Sequence, residues 1–183
     1  KIFGEHITCD FVVLGNGLEH SFDGSTTMFN ITDCATGWCE SHPLKDRSME
    51  SCRKALLDFV GLKSAPKEVK IHVHSDNAGE IIASVKKIGF SHGTSTPYRH
   101  QSNGVAERAN RRIIDGVRTL LLTSGLPHRF WSLAASAFTQ LRNIADSNVR
   151  GSTPYRNRFS QDFGGLTVPF GAAVIYLPRG GKI

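Results

Sequence analysis

The sequence predicts an α/β fold, a mixed five-stranded sheet flanked by helices. Three strand-like runs follow one another near the N-terminus, a strand–helix–strand passage comes next, and two long amphipathic stripes at helical spacing complete the pattern. At 183 residues the chain suffices for one domain with a proper core and is too short for two ordinary ones. Hydrophobic residues make up 39% and charged residues 21%, the balance of a globular protein. No apolar run approaches the roughly 18 residues that a membrane span needs.

The run HITCDFVV (6–13) is rich in β-branched and apolar residues and reads as the first strand. A Gly-, Asn- and Asp-rich turn from Gly15 to Gly24 leads to TTMFNIT (26–32), and the tight turn DCATG leads to WCESHPL (38–44). Together these make a three-stranded antiparallel meander. A helix is predicted over 48–60: Ser48 suits its N-cap, Met49, Cys52, Leu56 and Val60 share one stripe, and Gly61 stops it. The fourth strand, EVKIHVHS (68–75), alternates through Val69, Ile71 and Val73 and ends at Asp76. A short helix over 80–88 and a strand over 90–95 follow, and the helical connection makes these last two strands parallel.

Residues 91–104, SHGTSTPYRHQSNG, contain no Leu, Ile or Val and read as a long loop. A helix over 104–123 is expected to bury Val105, Ala109, Ile113, Val117, Leu120 and Leu121, with Gly125 closing it. Pro127 suits the opening of the next helix, whose stripe is Phe130, Trp131, Ala134, Phe138 and Leu141; Trp131 and Phe138 read as packing residues. From Gly151 the chain turns loop-like, ending in an expected strand, GAAVIYLP (171–178). The opening KIFGEHITCD has no secretory leader pattern and reads as a segment of a longer polypeptide.

Lys and Arg outnumber Asp and Glu by 22 to 16, giving +6 and a pI near 9.4, a balance suited to a polyanionic partner. The four cysteines, Cys9, Cys34, Cys39 and Cys52, form no CxxC and fit a reducing compartment. Within PYRHQSNGVAERANRR (97–112), four arginines surround a single acid, Glu107. At 100° per residue Glu107, Arg111 and Arg118 fall within about 40° of one another, opposite the apolar stripe, so the acid points outward. A surface pair of Glu107 with Arg111 is the plainest reading.

Two other carboxylates favour a chemical one. Asp10 lies within the first strand, on the face opposite Cys9 and Phe11, and Asp76 stands where the fourth strand ends. Sites in open α/β sheets form outside the carboxyl ends of strands. If strands one and four are neighbours, Asp10 and Asp76 converge and the helix bearing Glu107 closes the group. Three gathered carboxylates raise one another's pKa unless cations lie between them. Oxygen ligands of this kind suit Mg²⁺ or Mn²⁺, and two such ions serve in-line phosphoryl transfer.

The runs HSDNAGE (74–80), STPYRHQSNGVAERANR (95–111) and GLPHRFWSLA (125–134) resemble the integrase catalytic core of copia-type LTR retrotransposon Pol polyproteins, within the retroviral integrase superfamily of ribonuclease H-like folds. The resemblance runs from GEHITCDF through the helix after Trp131. It implies a core over 1–150, with 151–183 a linker and first strand of a truncated C-terminal module. It implies Asp10, Asp76 and Glu107 as catalytic, metal-binding acids holding two Mg²⁺ ions, for which Mn²⁺ substitutes, with Asp10 bridging both. It implies DNA contacts from Arg99, Gln101, Asn103 and Arg111. The implied partners are the element's DNA ends, target DNA and further copies of the chain. The implied setting is the nucleus, after assembly in cytoplasmic particles.

Departures leave alternatives open. Thirty residues separate Asp76 from Glu107, a few fewer than such cores usually have, and His100 stands where Pro is usual. A transposase or nuclease of the same fold, or a decayed or domesticated module that only binds DNA, uses the same residues differently. His72, His74 and Asp76 superficially resemble the ligand run of binuclear zinc hydrolases, but Asn77 stands where that pattern needs His. Cys34, Cys39, His42 and Cys52 match no common zinc spacing. Asp33 reads as structural.

Overall fold

The computed structural model describes residues 2–13, 20–61, 70–94, 104–149 and 151–174. Five strands, β1 (His6–Val13), β2 (Thr27–Asp33), β3 (Cys39–Leu44), β4 (His72–Ser75) and β5 (Ser91–Thr94), form one sheet in the order β3-β2-β1-β4-β5. β1–β2 and β2–β3 pair antiparallel, whereas β1–β4 and β4–β5 pair parallel. The meander and the strand–helix–strand passage therefore take the places that the residue patterns predict. The helices are α1 (Met49–Val60), α2 (Gly79–Ile88), α3 (Gly104–Ser124), α4 (Trp131–Ala145) and α5 (Pro154–Phe159).

The sheet is covered on both faces, and strand alternation sorts the side chains. Ile7 and Cys9 of β1, Phe29 and Ile31 of β2 and Val73 of β4 join one cluster with α1 and α2 residues such as Leu56, Phe59, Ile81 and Val85. Val12 and Met28 point the other way, into a cluster with Ile113, Val117 and Leu121 of α3 and Trp131, Ala134 and Ala135 of α4. β2 thus buries both of its sides, which explains a run as apolar as TMFNIT.

Capping follows the local sequence. The Ser48 hydroxyl accepts from Ser51 N–H at the start of α1, and Gly61 ends that helix at a φ of +74°, a conformation that favours glycine. The buried face of α1 is centred on Cys52, Ala55, Leu56, Leu57 and Phe59, which leaves Met49 and Val60 at its margins. β4 is shorter than its alternation suggests: Lys70 and Ile71 lie outside the ladder, and 68–69 lie outside the described residues. Pro127 precedes a short 3-10 turn, His128–Phe130, before α4 begins.

Two helical faces differ from expectation. α3 buries Ala106 and Asn110 along with Ile113, Val117 and Leu121, while Ala109 is half-buried, so the buried stripe is rotated towards a polar residue. α4 buries Trp131 together with small and polar residues, Ser132, Ala134, Ala135, Thr139 and Asn143, because it lies close against β3. The Asn143 side chain accepts from Cys39 N–H at 3.0 Å and donates to the Cys39 carbonyl at 2.7 Å, taking the place of a neighbouring strand.

The stretch after Gly151 contains a helix, α5, where the sequence reads as loop. Thr153 caps it and Pro154 opens it, a strong local start signal that a six-residue element leaves little periodicity to reinforce. Its Arg158 guanidinium lies 3.9 Å from the Phe3 ring centre and 4.5 Å from that of Trp38, and 3.5 Å from Glu40. Residues 171–174 form no strand, and the rest of the strand expected over 171–178 lies outside the described residues. Among the described residues no helix is long and apolar enough to cross a membrane.

Candidate active site

β1 and β4 run parallel with His6 beside His72 and Thr8 beside His74. Continuing the same register two residues further brings Asp10 opposite Asp76, at the point where β4 ends and the two strands part. The topology therefore sets these two acids side by side at the carboxyl end of adjacent parallel strands, where α/β sheets place their chemistry. Asp76 Oδ1 accepts from Ala78 N–H at 3.1 Å, a side-chain turn that carries the chain into α2. Glu107 occupies the first turn of α3, where a helix favours an acid, and it is exposed, as is Arg111.

Burial pushes the Asp10 carboxyl up from its ordinary 3.8 to about 6, and the neighbouring charge of Asp76 adds to the rise. Glu107 contributes in the same direction, while hydrogen bonds from the Phe11 backbone and the Asn110 side chain oppose it. Asp10 thus lies in the field of both other acids. Behind it, burial raises the Cys9 thiol well above its ordinary value, with help from Asp10, Cys52 and Asp76, so Cys9 is an inert core group.

Neutral groups hold the strand ends in place. The Ser75 hydroxyl donates to the Asp76 carbonyl at 2.8 Å, so its oxygen accepts from His92 Nε2, 2.9 Å away. Burial lowers the His92 pKa, with His72 and His74 adding to the effect, in keeping with a neutral ring protonated on Nε2. Asn110 Nδ2 donates to Asp10 Oδ2 at 2.9 Å, and Asn30 Nδ2 donates to Asn110 Oδ1 at 2.8 Å. The sequence reading missed His92, Ser75, Asn110 and Asn30. The available signal was a polar residue at an apolar place, Asn30 inside TMFNIT and Asn110 in the buried stripe of α3.

The donor set suits a hard divalent cation. It consists of carboxylate oxygens, and Asp76 and Glu107 add negative charge beside the half-buried Asp10. Among the described residues no three His, Cys, Asp or Glu side chains already form a ligating cluster, so the fit rests on donor chemistry and charge. The same holds for the zinc patterns weighed from the sequence: His72 Nδ1 lies 3.1 Å from Ser91 Oγ, while Cys39 and Cys52 are buried in the core. Asp33 is structural as expected. Fully buried, it accepts from Gly4 N–H at 2.9 Å, from Ala35 N–H at 3.1 Å and from both the Thr36 N–H and hydroxyl at 2.7 Å.

Arg99, Gln101 and Asn103, like His100, lie outside the described residues. Arg111 projects from the exposed face of α3, and among the described residues no ion pair joins it to Glu107; Arg118 pairs instead with Asp115 at 3.6 Å. Arg47 stands over the Phe11 ring at 4.5 Å and pairs with Glu80 at 3.4 Å, so one guanidinium touches the neighbour of Asp10 and the start of α2. A groove along β3 between α1 and α4 contains none of the three acids.

No family model matches the chain. By sequence it is similar to the retrovirus-related Pol polyprotein from transposon RE2 of Arabidopsis thaliana, 29% identical over 146 residues, which are 77% of this chain and 10% of that protein. The corresponding polyprotein from transposon RE1 of the same plant is 31% identical over 117 residues, 62% of this chain and 8% of that protein. That from transposon TNT 1-94 of Nicotiana tabacum is 36% identical over 80 residues, 41% of this chain and 6% of that protein. The chain thus spans a tenth or less of the length of these relatives.

In structure it is similar to the catalytic core domain of BIV integrase, with a TM-score of 0.60 and 21% identity over 86% of this chain and 95% of that one. The HTLV-2 integrase catalytic core domain, solved in complex with magnesium in a trimeric form, gives 0.59 at 15% identity, over 86% and 97%. A simian T-cell lymphotropic virus intasome in complex with the PP2A regulatory subunit B56 gamma gives 0.66 at 14% identity, over 96% and 61%. At these identities the likeness is one of fold. The relatives in sequence are retrotransposon Pol polyproteins, and the fold is the ribonuclease H-like one of retroviral integrase catalytic cores.

Proposed function

We propose that the chain is the catalytic core of an integrase, a polynucleotidyl transferase that trims the 3′ ends of retroelement DNA and joins them to target DNA. The observation that carries this reading is the position of Asp10, raised to about 6 by burial and by the charges of Asp76 and Glu107, at the parting of two parallel strands. Kinship in sequence with Pol polyproteins and the integrase-core fold give that cluster its context.

Asp10, Asp76 and Glu107 are the residues that would hold a pair of Mg²⁺ or Mn²⁺ ions. Such ions, when bound, lower the pKa of an attacking hydroxyl and offset charge that builds up on phosphorus. The protein's part is placement. β1 and β4 fix two carboxylates at one strand end, α3 brings the third, and Arg111 presents positive charge to a phosphate backbone one turn beyond Glu107. Arg99, Gln101 and Asn103 belong to the same proposed interface. Further copies of the chain, nuclear action, and the division into a core over 1–150 and a linker with the start of another module over 151–183 belong to the same reading. The docking of α5 on Trp38 and Glu40 would anchor the first part of that linker to the core.

The test is a strand-transfer assay with Mg²⁺ and an element-end duplex, comparing wild type with Asp76→Asn and Glu107→Gln. Each substitution is expected to lower the rate by about 10²-fold or more while leaving DNA affinity in chelator within about twofold. Equal rates in all three proteins would remove the acids from the mechanism. DNA binding without metal-dependent joining in wild type would instead identify a binding module.

A further inference from the structure

We propose that Asn30 is a positioning residue for Asp10, acting through Asn110, so that a buried pair of neutral amides sets the orientation of the central carboxylate; this rests on the functional reading above. Asn30 lies directly across from Asp10 in the antiparallel β1–β2 register, so both project from the same face of the sheet. Asn110 reaches down from α3 between them. The Asn110 amide donates to Asp10 Oδ2 at 2.9 Å and accepts from Asn30 Nδ2 at 2.8 Å. Both amides are buried, Asn30 at 3% and Asn110 at 9% exposure.

The order of atoms along this chain is dictated from one end. An ionised carboxylate accepts and cannot donate, so Asn110 must turn its nitrogen towards Asp10 and its oxygen away. That oxygen then demands a donor, which among the described residues the nitrogen of Asn30 supplies. The demand is visible as a sacrifice: Asn30 Oδ1 is buried with no hydrogen-bond partner among the described residues. A side chain oriented by its own surroundings would satisfy that oxygen; here the orientation serves the neighbour.

Neutral donors are also the chemically suitable choice. A lysine or arginine at either position would hold the carboxylate but cancel its charge and compete with a cation. An amide orients the group and leaves its full negative charge in place. Glu107 stands one turn before Asn110 on α3, so the same contact ties that helix to β1 and fixes the approach of two acids at once.

Asn30→Leu, which keeps the branching and heavy-atom count of the side chain and removes the donor, tests this in the 183-residue chain, with Asn30→Ala as a smaller alternative should the first not fold. In chelator, NMR signals of the Asn110 side-chain amide are expected to shift while DNA affinity stays as in wild type. Mn²⁺ affinity, read by electron paramagnetic resonance, is expected to fall about 10-fold, and strand-transfer kcat with it, at constant KM for DNA. Adding the change to Asn110→Leu should cost nothing more, because the route runs through Asn110. Unchanged Asn110 signals and unchanged Mn²⁺ affinity in Asn30→Leu would overturn the proposal. Absence of Mn²⁺ binding in wild type would instead defeat the functional reading. The chelator NMR arm would still decide whether Asn30 orients Asn110.

Discussion

Asp10→Asn is expected to stabilise the metal-free protein, and only above a certain pH. In the folded chain the carboxyl titrates at about 6 instead of its ordinary 3.8, chiefly because burial penalises the ionised form and Asp76 adds repulsion. A raised pKa means that the folded state holds its proton more tightly than the unfolded chain does. The stability this contributes is complete below the ordinary value and is lost as pH rises through about 6. The full shift corresponds to a ceiling of about 3 kcal/mol, and because Asp10 is partly exposed, solvent screening reduces it to roughly 1–2 kcal/mol. Urea or thermal unfolding in chelator at a series of pH values measures it. The variant should match wild type near pH 4 and exceed it by about 1–2 kcal/mol above pH 7, some 3–6 °C in Tm for a chain of this size. Millimolar Mg²⁺ should then narrow the gap by stabilising wild type alone. A gap that is the same at every pH would refute the reasoning, because it would mean that Asp10 carries no excess charge penalty.

Gly116 faces Phe138 where α3 crosses α4, and an added Cβ would meet the ring at 2.1 Å, so Gly116→Ala should cost about 1–3 kcal/mol in urea unfolding, partly recovered by Phe138→Leu. Asp33→Ala strands four donors in a buried turn and should lower stability by about 3 kcal/mol, whereas Asp33→Asn, which keeps two acceptor lone pairs, should cost less; equal losses would mean that the retained amide oxygen satisfies none of these donors and that the carboxylate itself is required. Arg158→Ala removes the guanidinium from between Phe3 and Trp38, and limited proteolysis should then cut near α5 sooner while the sheet and α1–α4 survive intact.

Much of the architecture was legible because period and punctuation are local. HITCDFVV carries β-branched residues at strand spacing, Ser48 and Gly61 bracket α1, and the helical link over 79–88 forces β4 and β5 to be parallel. The short α5 escaped because six residues leave little periodicity to read. The true buried stripe of α3 escaped because Asn110 counts as polar in any pattern, and its hydrogen bonds with Asp10 and Asn30 make its burial acceptable. Of the candidate site, only Asp76 stood out by its place at a strand end; the grouping of Asp10, Asp76 and Glu107 came from the family resemblance, and nothing local ties residue 10 to residue 76.

By itself the sequence determined the elements and their caps, the basic balance, and which side chains are able to hold charge at strand ends. Only the tertiary structure decided that β1 lies beside β4 in a register that continues to Asp10 and Asp76, and that Asn30 and Asn110 meet beneath α3. The physical reason is distance along the chain. Helix and turn preferences act over a few residues, whereas a carboxylate's pKa and a buried amide's partner depend on groups as much as a hundred residues away. Those are brought into contact only when the whole core closes.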